Sequence, residues 1–252
     1  MRFKAMPGSI AGSVIPVLTL GAALLIGGAP AFAQSSPDMS LPWSTQASQQ
    51  SQMHHAAAAA RKNLAEFVQF RLQSGSLPKG FPLDISDIQD LKGLSIGRGF
   101  QVHTVDPNEV LAGRKEVSGM VKPTGEWRFV ISSKGRPVGL ATVHQVDGRW
   151  ETVAYGAAEL SKEVDSLMAK HGNADHSNLR FVRVFQARSD FIEVTSEKNF
   201  GKRFAPLRSA RQSLSLQQQT AKAGSSGDGL IDAADFLDPL RAAIKTNLAE
   251  FR

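Results

Sequence analysis

Between Trp127 and Met168 the hydrophobic period of the chain changes once, and that change constrains the fold more than any other feature. Trp127, Phe129 and Ile131 alternate with Arg128, Val130 and Ser132, a period of two that sends one set of side chains to a buried sheet face. Lys134-Gly135-Arg136-Pro137 breaks the run, since Gly supplies the reversal and Pro cannot continue a central ladder. A second run over 138–146 places Val138, Leu140, Thr142, His144 and Val146 on one face, and Asp147-Gly148 follows it. Asp-Gly between alternating runs is a strong hairpin signal, because a type I′ turn needs positive φ at both central residues. The third run, 149–155, sets Trp150, Thr152 and Ala154 against Val153 and Tyr155. After Gly156 the apolar residues are Leu160, Val164, Leu167 and Met168, the spacing of one helical stripe. A three-stranded meander therefore feeds an amphipathic helix. Neither can bury its apolar side alone, so the helix is expected across the inner face of the sheet.

Weaker signals flank this unit. Phe100, Val102 and Thr104 alternate within a strand expected at 99–106, and 179–186 with 190–196 read as a second hairpin around Ala187-Arg188-Ser189. The alanine run 56–60, followed by Leu64, Phe67, Val68 and Leu72, predicts a helix over 53–73. Phe236, Leu240, Ile244, Leu248 and Phe251 predict another near the C-terminus. The expected fold is α+β: a curled antiparallel sheet of about six strands over one main helix, with peripheral N- and C-terminal helices. In the order of its elements this is similar to cystatin-like and nuclear-transport-factor-like domains. That likeness is one of architecture, and a fold does not give a function.

The N-terminus reads as an export signal. Arg2 and Lys4 precede an apolar core from Ile15 to Ile26, and Ala31-Phe32-Ala33 fits the small-x-small cleavage rule. The apolar run is short for a bilayer span. The expected organisation is a signal peptide at 1–33, a flexible Ser/Gln linker at 34–52, the α+β domain at 53–204, and a helical extension at 205–252 that includes a Gly/Ser linker. The expected location is periplasmic or secreted, with no integral membrane segment after cleavage. The chain has no Cys, which excludes a lipid at the cleavage site, a disulfide and a thiol nucleophile. It carries 29 basic and 23 acidic residues, and loss of Arg2 and Lys4 leaves a net +4. With the signs well mixed, no basic run argues for nucleic acid.

Three groups of residues invite a ligand. Arg183 lies between Phe181 and Phe185 at strand spacing, so its stem covers apolar surface or its guanidinium meets an anion in a groove. His144 and Trp150, on the meander, are the other candidates for a site on the sheet. The third group is the stretch 224–236, in which Asp228, Gly229, Ile231, Asp232 and Asp235 match the later positions of a calcium loop. It resembles the second half of an EF-hand, and calcium is the cofactor this implies, with Asp228, Asp232 and Asp235 as ligands. Gly224 and Ser226 stand where the first two carboxylates belong. The same residues also read as a Gly/Ser linker followed by Asp232 capping a helix, with Asp235 three residues on.

Other polar clusters carry less. Adjacent His54 and His55 point in different directions on a helix. His171, Asp175 and His176 form a minimal set on a polar loop. Gly93, Gly97 and Gly99 are not followed by the Lys-Ser/Thr of a phosphate loop. There is no Gly-x-Ser-x-Gly elbow. The expected function is thus a non-catalytic exported module that binds an unknown protein, peptide or small ligand. The alternatives are an inhibitor or propeptide-like chaperone of an exported hydrolase, and a weak calcium-binding helix-loop-helix. A cavity holding His103 or His144 beside a carboxylate would argue for an enzyme instead.

Overall fold

The computed structural model describes residues 42–198, 200–216 and 228–250. The expected signal peptide, the first part of the expected tether and residues 217–227 of the Gly/Ser linker lie outside the described residues. The fold is α+β, an open mixed sheet of seven strands with helices on both faces. The strands are β1 (Leu94–Val105), β2 (Val121–Ser133), β3 (Arg136–Val146), β4 (Arg149–Gly156), β5 (Leu179–Val184), β6 (Ser189–Thr195) and β7 (Lys202–Pro206). The helices are α1 (Pro42–Gln73), α2 (Pro107–Leu111), α3 (Ala158–His171), α4 (Arg208–Ser213) and α5 (Ala233–Glu250).

The meander is as its sequence predicts. Asp147 and Gly148 turn with φ of 48° and 78°, both positive, as a type I′ turn requires. The sheet order is β4-β3-β2-β1-β5-β6-β7. The chain builds outward from β1 to β4, crosses back along α3, and builds outward again from β5 beside β1. This crossover makes β1 and β5 parallel, paired only at Val102↔Phe181 and His103↔Val182, in an otherwise antiparallel sheet. Parallel neighbours need such a crossover connection.

Helix α3 buries Val164 and Met168 against Phe100, Val130, Leu140, Phe181 and Ile192, with Leu160 and Leu167 packed at the rim. The opposite face is covered as well. Ala56, Ala60 and Leu64 of α1 pack on Trp127, Phe129 and Ile131. Phe236, Leu240 and Ile244 of α5 pack on Val182, Val184, Phe191 and Phe204. The expected N- and C-terminal helices are thus both present, and both pack on the sheet. They form a third layer, and the hydrophobic burial on that face rivals that under α3.

Three other differences have local causes. Helix α1 starts at Pro42, inside the stretch expected to be a tether. Proline at a helix start has its φ preset, Ser and Gln are tolerated in helices, and extending an anchored helix is cheap once its nucleus exists. Strand β7 occupies the expected basic connector, and its outer edge is not bare: Phe204 and Ile231 exchange backbone hydrogen bonds of 2.9 and 2.8 Å. Strand β5 ends at Val184, so Phe185 begins a 3-10 turn, stands 51% exposed, and does not join Phe181 and Arg183 on one face.

Candidate functional site

The site grows from an irregularity in β2. Gln101 pairs with Trp127 and His103 with Pro123, so residues 124–126 stand opposite the single residue Val102. Such a bulge re-aims side chains. Gly125 takes φ +82°, with open space where a Cβ would stand, so conformation rather than crowding selects glycine there. The Thr124 hydroxyl donates to the Val102 carbonyl at 2.8 Å and accepts the Glu126 amide at 3.2 Å, which pins the bulge.

Glu126 is turned by this bulge toward His144 on β3. His144 Nε2–H donates to Glu126 Oε2 at 3.0 Å, and Arg128 Nε donates to the other carboxylate oxygen. With Nε2 carrying the proton, Nδ1 is the free acceptor of a neutral ring. The Glu126 and Arg128 side chains are only 14% and 11% exposed, whereas His144 is 45% exposed. A buried ion pair thus fixes an imidazole that faces solvent. Burial, and then the nearby Arg183, hold the Arg128 guanidinium below its ordinary value.

These groups wall a cleft of about 560 Å³. On one side it has His144, Gln145 and Trp150 from the β3–β4 hairpin, and on the other Ser48, Gln52 and His55 from α1. His55 Nδ1–H donates to the Ser51 carbonyl at 2.9 Å, leaving Nε2 as its acceptor. Two residues singled out by the sequence, His144 and Trp150, therefore meet in one cleft. Glu126 completes it, and the sequence did not mark it, since a bulge depends on long-range register. The adjoining Thr-Gly pair was the available signal.

Trp150 also lines a second cleft of about 550 Å³ between α1 and β4, with Phe67, Phe70 and Tyr155. A further irregularity explains this. Thr142 pairs with Ala154 but Val143 with Thr152, so Val153 bulges. Trp150 and Tyr155, expected on opposite faces, consequently both pack toward α1. Tyr155 and Phe67 have ring centroids 4.5 Å apart. Burial pushes the Tyr155 phenol up to about 12, so it remains a neutral hydroxyl.

The other predicted residues lie elsewhere. Phe181 is buried under α3, with the guanidinium carbons of Arg128 and Arg183 6.0 and 5.9 Å from its ring centroid. Arg183 binds Asp190 through Nε at 2.7 Å and Nη2 at 2.9 Å, and this hydrogen bonding holds its guanidinium above the ordinary value. Both donors face a carboxylate of the chain itself, so Arg183 is an internal counterion. His103 is buried, donates Nδ1–H to the Gln101 carbonyl at 3.2 Å, and titrates below the ordinary histidine value because of burial and then Arg180.

In the calcium-loop-like stretch, Arg203 Nη1 lies 2.8 Å from Asp228 and its Nε 3.5 Å from Asp232. Asp228 also accepts the Leu230 amide at 3.0 Å, and Asp235 accepts the Asp232 amide at 2.9 Å. The latter is half of a capping box. A fixed guanidinium thus bridges two of the three carboxylates. Among the described residues, no three His, Cys, Asp or Glu side chains converge as metal ligands. No described helix is long and apolar enough to cross a membrane.

No family model matches the chain, and no curated protein or solved structure matches it either.

Proposed function

We propose that the protein is an exported, non-catalytic binding module whose ligand enters the cleft between α1 and the β3–β4 hairpin. The observation that carries this reading is the convergence of His144, Trp150 and the Arg128-anchored Glu126 on one open cleft. A half-exposed imidazole, an indole and several amides and hydroxyls, set on a rigid sheet and helix, supply oriented polar contacts around an aromatic surface. A thermal-shift screen of sugars, peptides and small metabolites tests it. The expected result is a class of stabilising ligands whose effect vanishes in Trp150→Ala and His144→Ala. Hits that both variants retain would contradict it.

One observation favours a second reading, in which His144 acts as a general base oriented by Glu126. Among the described residues no hydroxyl is hydrogen-bonded to His144, so the attacking group would have to be water. A hydrolase panel separates the two: turnover that disappears in His144→Ala supports catalysis, and the binding reading expects none.

A further inference from the structure

We propose that the ligand is a neutral glycan strand lying along the seam between α1 and β4; this rests on the cleft being the binding site. The first argument is continuity. Trp150 lines both clefts, so its indole is the wall common to the space beside His144 and the one beside Tyr155, Phe67 and Phe70. From Trp150 to Tyr155 the strand advances about 16 Å, and Phe70 extends the aromatic surface into solvent at 62% exposure. The site is therefore elongated, floored by rings at intervals, and open along its length.

The second argument is charge. Among the described residues the first cleft has one carboxylate, Glu126, and it is already bound to Arg128. The second cleft carries Lys62 and Arg149 against Glu66 and Glu151, which sum to zero. The charged side chains lining the two clefts therefore largely offset one another, with Arg71 stacked 5.5 and 5.4 Å over the Phe67 and Phe70 rings at the far end. The first cleft offers groups that both donate and accept, Ser48, Gln52 and Gln145. Vicinal hydroxyls need such bifunctional partners, and the apolar faces of a sugar ring bury against flat aromatic rings.

The third argument weighs against the natural competitor, an extended peptide adding to the open edge of β4. Asn63 Oδ1 accepts the Thr152 amide at 3.0 Å, so α1 has taken an edge donor that an added strand would use.

Calorimetry on the whole protein with N-acetylchitohexaose, cellohexaose and hexaalanine tests the proposal. At least one hexasaccharide is expected to bind, its trisaccharide about ten-fold more weakly, and Trp150→Ala to lose about ten-fold or more. Phe70→Ala, which alters an exposed ring outside the core, is expected to weaken the hexasaccharide and leave the trisaccharide unchanged, so the test survives a misfolded Trp150 variant. If neither hexasaccharide binds at about 10 mM, or if both variants bind like the parent, the glycan proposal is overturned. Trp150-dependent binding of hexaalanine would overturn the glycan and leave the cleft standing. Trp150-independent binding of every hit would remove both.

Discussion

His144 and Glu126 meet at 3.0 Å across neighbouring strands because a three-residue bulge in β2 turns the carboxylate out of register. Behind them Arg128 is sealed from solvent, and its net interaction with Glu126 depends on the pair remaining whole. Glu126→Gln is expected to cost on the order of 3 kcal/mol in urea unfolding, because it leaves a buried guanidinium without its counterion. Adding Arg128→Met should restore most of that loss. An equal cost in the single and double variants would show that the pair is not what matters.

Gly99 sits where β1 touches Phe129. A Cβ there would lie 2.3 Å from the ring of a side chain only 2% exposed. Gly99→Ala should therefore destabilise by about 2 kcal/mol, the cost of overpacking a filled core. Gly93, with nothing within 4 Å, is the control, and Gly93→Ala should stay within about 0.5 kcal/mol. Equal effects at the two positions would contradict the packing of Phe129.

His103 gives the fold an acid sensitivity. Its folded-state affinity for protons lies below the ordinary 6.5, so between that lower value and 6.5 the unfolded chain binds more protons. The stability it contributes is present above 6.5 and is lost as pH falls through this window. His171, lowered chiefly by burial, adds in the same sense. Urea unfolding from about pH 7.5 to about pH 5 should show this decline, and His103→Gln should flatten part of it. An unchanged slope would place the acid sensitivity elsewhere.

Much of this was legible where the physics is local. Asp147-Gly148 encodes its own turn. The stripe through Val164 and Met168 names the face that α3 buries, because a period of 3.6 is a property of neighbouring residues. Three kinds of feature were not legible. The parallel contact of β1 with β5 depends on where a crossover lands. The bulges at 124–126 and at Val153 depend on pairing between distant segments, and they decide that Glu126 reaches His144 and that Trp150 and Tyr155 face the same helix. The end of β5 at Val184 decides that Phe185 leaves Phe181. Arg183 could be seen as a cation between phenylalanines, but Asp190, its partner across the hairpin, needed the register Arg183↔Asp190.

Arg203 makes the stretch 228–235 a clasp for the edge of β7. Its guanidinium bridges Asp228 and Asp232, and Nη2 also donates to the Leu230 carbonyl. Arg203→Met should lower stability by about 1–2 kcal/mol through loss of these bonds. Calcium at about 5 mM should leave the melting temperature of the parent unchanged, since a tethered cation holds the ligand carboxylates and ligand charge sets affinity. Calcium-dependent stabilisation abolished by Asp228→Ala would overturn this assignment.

Amide chemical-shift mapping with the ligand returned by the screen tests the central claim most directly. The account predicts perturbations confined to 48–70, 124–126 and 144–155, where α1 faces the bulge, the β3–β4 hairpin and β4. Shifts centred instead on Arg183 and Asp190, or on 228–235, would contradict it.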